Sequence, residues 1–269
     1  MLVFDIETGS RPDDELRAVC DPFNPSTVAV PTGDYHSFDE SSVKLGNTKD
    51  PAKVAEKIEA ARQAHEAGRI EFEVAKANGP ALLADAEKAY WDAIRNRAAL
   101  SPVTGQVLAI GCYSVEKDKA SIAGVDKPED EIGVLNQFWR QFLTCKQANR
   151  SLVGFNSNSF DLPFLVKRSW LLGVDVPSTL FSPDGKYLDR ICVDLLARWK
   201  CGVWGGNGSD GGSIKLAGLA RFFGVGDKPD GVTGADFARL WSEDRERAKG
   251  YLVNDLKMTA ECAKRMGIV

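Results

Sequence analysis

Hydrophobic and polar positions along the chain divide it into short apolar runs, amphipathic stretches and one long polar segment. Met1 to Ile6 is apolar enough for a strand over Leu2 to Ile6. Val107 to Ser114 and Ala120 to Val125 read as two further strands joined by a polar turn from Glu116 to Lys119. Ile132, Leu135, Phe138, Trp139 and Phe142 recur at helical spacing, predicting an amphipathic helix over Glu129 to Thr144 that faces a core. Leu152 to Phe155 is a fourth strand. A helix follows from about Phe160 to Leu172, with Pro163 tolerated in its first turn. Ile191 to Leu195 is a fifth strand, and Ile214 to Phe223 and Glu243 to Met266 read as helices. This order predicts an α/β fold: a mixed five-stranded sheet flanked by helices, which gathers residues distant in sequence at one end of its strands.

Residues 11–100 stand outside that plan and read as an insertion between the first two strands. Up to about Asn47 the insertion is rich in proline, serine and aspartate and is expected to be extended loop. Pro51 to Ala77 and Ala81 to Leu100 are rich in alanine, glutamate, lysine and arginine, and Asn78, Gly79 and Pro80 separate them. The expectation is a helical hairpin over about 51–100, its first arm reaching roughly 40 Å. Val54, Ile58, Ala61 and Ala64 give that arm a weakly apolar face to pack on the second arm. A clamp over a substrate, a surface for a protein partner or self-association, and a structural elaboration are equally compatible with it.

Candidate chemistry lies in three short segments. Asp5 and Glu7, in F-D-I-E-T-G, end the first strand, where alternation sends both carboxylates to one side of the backbone. Asp161 lies in G-F-N-S-N-S-F-D-L-P-F at a helix start. Tyr251 and Asp255, in Y-L-V-N-D, share one face of the last helix, a turn apart. Carboxylate oxygens are the ligands that Mg²⁺ or Mn²⁺ selects, and pairs of such ions clamp the attacking and leaving oxygens in phosphodiester cleavage. Asp194, near a strand end, is a candidate supporting residue.

The three segments resemble the three motifs of the DEDD superfamily of 3′-to-5′ exonucleases, in the branch with a tyrosine in its third motif. The run from Asn156 to Phe164 is similar to the proofreading exonuclease domain of family B DNA polymerases, and S-I-K-L-A-G-L-A-R-F-F-G-V resembles stand-alone relatives of those domains. The likeness covers residues 1–10 and about 103–269. It implies an RNase H-like fold and two Mg²⁺ or Mn²⁺ ions. Asp5, Glu7 and Asp255 would hold the first ion, Asp5 would bridge to the second, and Asp161 would hold the second directly or through water. Tyr251 would orient the attacking water. Thr8 and Gly9 would approach the terminal nucleotide, and Asn156 and Phe160 would shape the strand's path.

Composition narrows the alternatives. At 269 residues and 43% hydrophobic, the chain can bury one substantial core, which predicts a single exonuclease domain over 1–269 with the insertion inside it. The sequence has no apolar run of about 18 residues and no basic, apolar leader, so the expectation is a cytoplasmic protein with no membrane partner. Six cysteines without a C-x-x-C pair read as reduced thiols and argue against zinc. A net charge of −4 is unusual for a nucleic-acid binder, but an exonuclease contacts few nucleotides and its ions supply positive charge. Lys167 with Arg168, Lys186 with Arg190, and Arg198 with Lys200 beside Trp199 are candidate phosphate patches or solvated faces, and Trp199 and Trp204 are candidate stacking rings or core or lid packing. His36 and His65 are the two histidines, and neither lies near the third motif, which disfavours the histidine branch and any Ser-His-Asp arrangement. Gly205 to Gly212 lacks the phosphate-loop order and reads as a loop.

These readings converge on a metal-dependent 3′-to-5′ exonuclease acting on single-stranded or frayed DNA ends. A 3′-to-5′ exoribonuclease and a non-catalytic nucleic-acid-binding or scaffold protein of the same fold are the alternatives. The chain is too short to carry a polymerase body as well.

Overall fold

The computed structural model describes residues 1–182, 188–201, 214–227 and 234–268. Lys186, Trp204 and the Gly205 to Gly212 stretch lie outside the described residues. In chain order the elements are β1 (Leu2–Ser10), α1 (Asp13–Val19), α2 (Pro51–Ala98), β2 (Gly105–Ser114), β3 (Lys119–Gly124), α3 (Asp130–Gln147) and β4 (Leu152–Gly154). Then follow α4 (Asp161–Leu171), β5 (Cys192–Asp194), α5 (Leu195–Trp199), α6 (Leu216–Phe223), α7 (Phe237–Glu243) and α8 (Arg245–Arg265). The chain divides into two compact units, residues 1–20 with 95–269 and residues 21–94.

In the first unit the five strands form one mixed sheet in the order β3-β2-β1-β4-β5. β1 is central, antiparallel to β2 and parallel to β4. Strand alternation sends Leu2, Phe4 and Ile6 into one core layer, with Phe138 and Phe142 of α3 and Leu162 and Leu165 of α4. Val3 points into the opposite layer, with Leu219 of α6, Phe237 of α7 and Leu252 and Leu256 of α8. Both faces of the sheet are therefore covered by helices, the architecture the strand and helix order predicts. Helices α1, α5 and α7 have no counterpart in the expected elements, and α1 lies in the stretch expected to be extended loop. α5 is a single turn, and α7 breaks from α8 at Asp244, whose carboxylate accepts from the Arg247 N–H and caps α8.

Arg168 does not belong to a phosphate patch. Its guanidinium is buried and donates to Glu131, Nε to Oε1 at 2.9 Å and Nη2 to Oε2 at 2.5 Å. Oε1 of Glu131 also accepts from the Val107 N–H at 2.8 Å, so this pair ties α3, α4 and the start of β2 together. Such a fork is geometrically matched to a carboxylate, which a lone lysine would not be. Lys167, its neighbour, is exposed. The six cysteines form no disulfide, and burial pushes the Cys112 and Cys192 thiols up to about 12. No helix among the described residues is long and apolar enough to cross a membrane.

In the second unit the expected helical hairpin is absent. α2 is one continuous helix of 48 residues that runs through Pro80. The residue before a proline is pushed away from helical angles partly by its own Cβ, and Gly79 has none. A Cβ at Gly79 would come within 2.4 Å of Val30, and one at Gly68 within 2.5 Å of the Tyr35 hydroxyl. These glycines let the 21–47 segment, rather than a second helical arm, lie along α2. Tyr90 donates to the Asp21 carbonyl, Lys76 to Gly33 and Lys57 to Leu45, so the segment runs antiparallel down the helix as a strap. Val54, Ile58 and Ala61 are half-buried, whereas Ala64 is exposed.

Candidate active site

The site is built from the face of β1 opposite Phe4 and Ile6. Asp5 and Glu7 share the alternation of Val3 and so point toward α8, and the register of β1 against β2 shifts just after Glu7. α8 reaches the sheet closely because Gly111, paired with Asp5, has no side chain. A Cβ there would meet Leu256 at 2.7 Å and Leu252 at 2.9 Å. This approach carries Asp255 to the strand. Carboxylate oxygens of Asp5, Glu7 and Asp255 lie within 4.8 Å of one another. Glu7 and Asp255 are buried and Asp5 is half-buried.

Asp161 arrives from the other direction, on the first turn of α4. β4 pairs with β1 only at Leu2 and Val3, so beyond that point this edge of β1 has no strand partner among the described residues. Oδ1 of Asp161 accepts the Ile6 N–H at 3.2 Å, fixing the carboxylate beside the residue between Asp5 and Glu7. Burial pushes the Asp161 carboxyl up to about 7; the Ile6 and Asp161 N–H groups oppose that rise, and the Asp194 charge adds to it. Asp194 organises the loop before α4: its carboxylate accepts from the N–H groups of Asn156 at 2.9 Å and Asn158 at 3.0 Å, and caps α5 through Leu196 at 2.9 Å. Asn156 takes a left-handed φ of 60°, which asparagine tolerates better than most residues.

Asp5, Asp161, Asp255, Asn156 and Phe160 line one cleft of about 620 Å³. Lys200 and Lys215 line it as well, bringing two lysines to a cavity that also carries carboxylates. Lys215 is a residue the sequence reading missed. It sits in the S-I-K-L segment, but no spacing rule distinguishes it from a solvated lysine. Thr8 and Gly9 are not among the lining residues. Thr8 donates through Oγ1 to the Ala99 carbonyl at 2.7 Å, and a Cβ at Gly9 would meet Leu108 at 2.7 Å. Tyr251 is buried one turn before Asp255 with its ring 6.1 Å from that of Phe237, and it too lies outside the lining set.

The donor set fits a hard divalent cation. Opposite oxygens around an ion bound at roughly 2.1 Å stand about 4.2 Å apart, within the spread of the three carboxylates after small rotamer adjustments. Three carboxylates and no thiol or imidazole match Mg²⁺ or Mn²⁺ better than zinc.

Residues 98–256 match a family model described as the RNase H superfamily. Among solved structures, the chain is similar to a family B DNA polymerase from the hyperthermophilic archaeon Pyrobaculum calidifontis, with 20% sequence identity and a TM-score of 0.48. That match covers 64% of this chain and 23% of the polymerase, so the chain corresponds to about a quarter of the polymerase's length. No curated protein matches the chain.

Proposed function

This chain belongs to the RNase H superfamily, and from that membership and the chemistry of its cleft we propose a metal-dependent 3′-to-5′ exonuclease of the tyrosine-containing DEDD branch. Its substrate is the 3′ end of DNA, preferentially single-stranded. The observation that supports this reading most is the cluster of Asp5, Glu7 and Asp255 oxygens beside a cleft that also carries Lys200 and Lys215. Three carboxylates within 4.8 Å repel one another in the absence of a cation. In this reading Asp5, Glu7 and Asp255 would hold one Mg²⁺ or Mn²⁺, and Asp161, directly or through water, would hold a second together with Asp5. Bound there, the ions polarise the phosphodiester and lower the pKa of the attacking water.

The chain's own residues supply position. Lys200 and Lys215 neutralise backbone phosphates at the cleft wall. Asn156 and Phe160 guide the strand, with Phe160 offering a ring to a base. Thr8 and Gly9 act through the end of β1 rather than from the cleft lining. Tyr251 orients the attacking water by hydrogen bonding.

The test uses 5′-end-labelled DNA and RNA oligonucleotides with Mg²⁺ or Mn²⁺. Stepwise shortening of DNA from the 3′ end is expected, abolished by chelator and reduced more than about 100-fold by Asp5→Ala or Asp255→Ala. Tyr251→Phe is expected to lower turnover about 100-fold while leaving Mn²⁺ affinity unchanged. Shortening of RNA alone would make the chain an exoribonuclease. Cleavage of neither polymer would sink the enzymatic reading in favour of a binding protein.

A further inference from the structure

The second unit carries a pocket of about 600 Å³ between α2 and the strap, far above the size of a packing defect. Its wall carries the rings of His36, Phe38 and His65, and Tyr35, outside the lining, packs against both histidines. Tyr35 lies 4.5 Å from His36 and 5.0 Å from His65, His36 meets His65 edge-on at 4.9 Å, and Phe38 meets His65 at 5.4 Å. Rings that merely fasten a strap to a helix would be buried, yet His36 is exposed and Tyr35, Phe38 and His65 are half-exposed. The His65 ring is held in place, its Nε2 2.9 Å from the His36 carbonyl.

Along α2 the floor is Ala60 and Ala61, with His65 at one end and Lys57 two turns away, about 12 Å along the axis. Lys57 donates to the Leu45 carbonyl and the Thr48 hydroxyl, which leaves one of its three protons available. Lys44, also lining the pocket, makes no ion pair among the described residues. Asp39 is the single acidic residue of the lining, and its Oδ1 already accepts from the Ser41 N–H and hydroxyl. Arg62 lies over Phe38 at 5.2 Å but is engaged by Glu40.

We propose that this pocket is a nucleotide-binding site, with an aromatic base stacked against Phe38 and the histidine pair and its phosphate held by Lys44 and Lys57. Flat rings at one end and ammonium groups at the other match a ligand that is an aromatic base at one end and an anion at the other. Two sources have this chemistry: a free nucleoside monophosphate, and a nucleotide within a single strand. The proposal stands on rings and charges and does not require that the chain cleave anything.

His36 and His65 are the chain's two histidines, so their imidazole proton signals report on this pocket without assignment elsewhere. The full chain in chelator is titrated with deoxyadenosine monophosphate, a short oligodeoxyadenylate, deoxyribose 5-phosphate and inorganic phosphate. Saturable shifts of both histidines with the nucleotide or the oligonucleotide, and none with the last two, are expected. Tighter binding of the oligonucleotide would identify a strand as the source, and tighter binding of the monophosphate a free nucleotide. Lys44→Gln, an exposed substitution that leaves the fold intact by circular dichroism, should weaken binding about tenfold. Phe38→Ala should weaken it at least about fivefold. Unmoved histidines with both nucleotide and oligonucleotide, equal responses to inorganic phosphate, or wild-type affinity in Lys44→Gln would each overturn the proposal. Because the readout involves no cleavage, these outcomes leave the exonuclease reading untouched.

Discussion

Asp161 is the residue whose environment has the clearest measurable consequence. Burial raises its carboxyl from the ordinary 3.8 to about 7 in the ion-free chain. The folded state therefore holds its proton more tightly than the unfolded state, and between about pH 4 and 7 folding stability from this group falls as pH rises. Thermal unfolding in chelator across that range should show wild type losing stability relative to Asp161→Asn, with the difference levelling off above about pH 7. Parallel curves for the two proteins would mean that Asp161 does not titrate in this window. Residues of this kind were legible in the sequence, because a carboxylate in F-D-L-P-F stands at a predicted strand end and helix start. Arg168 was not. Its partner Glu131 is 37 positions away, and no local pattern announces a buried fork between two helices.

Elements carry the next set of consequences. The strands were legible because apolar runs bounded by polar turns have few other readings, whereas the sheet order was not, since β1 and β2 pair across the whole insertion. The hairpin misreading has a physical source: Asn-Gly-Pro is a strong local break, and what overrides it is the strap packed on Gly68 and Gly79, invisible to a local reading. Gly111 was likewise silent, since a glycine in a strand signals several things at once. Its role can be measured. Gly111→Val must push α8 off β2, costing about 1–3 kcal/mol by overpacking and lowering the melting temperature by several degrees, roughly 2–4 °C per kcal/mol. Calorimetry should show Mn²⁺ affinity falling with it, because Leu256 and Asp255 move together. Wild-type affinity with reduced stability would separate the packing from the site.

At the scale of the whole molecule, residues 21–94 form a unit of their own, and the sheet with its helices forms the other. Within the first unit, the chain before residue 21 and the chain after residue 94 are held together. Arg95 pairs with Asp13 at 2.7 Å, and Thr8 bonds Ala99. Replacing 21–94 by a short glycine-serine linker should therefore leave a cooperatively folding RNase H-like unit that retains Mn²⁺ binding, checked by circular dichroism and calorimetry. The −4 net charge belongs to the same scale. Under the proposed function, the nucleic acid would be met through Lys200 and Lys215 and through bound cations rather than a basic surface, so affinity should depend on divalent ions more than on monovalent salt. All of this turns on one claim, that Asp5, Glu7 and Asp255 form a cation site. The most direct measurement is an anomalous difference map from crystals soaked in Mn²⁺. The account predicts a peak roughly 2.1 Å from oxygens of all three residues, lost in Asp255→Asn; a map empty at that position would contradict it.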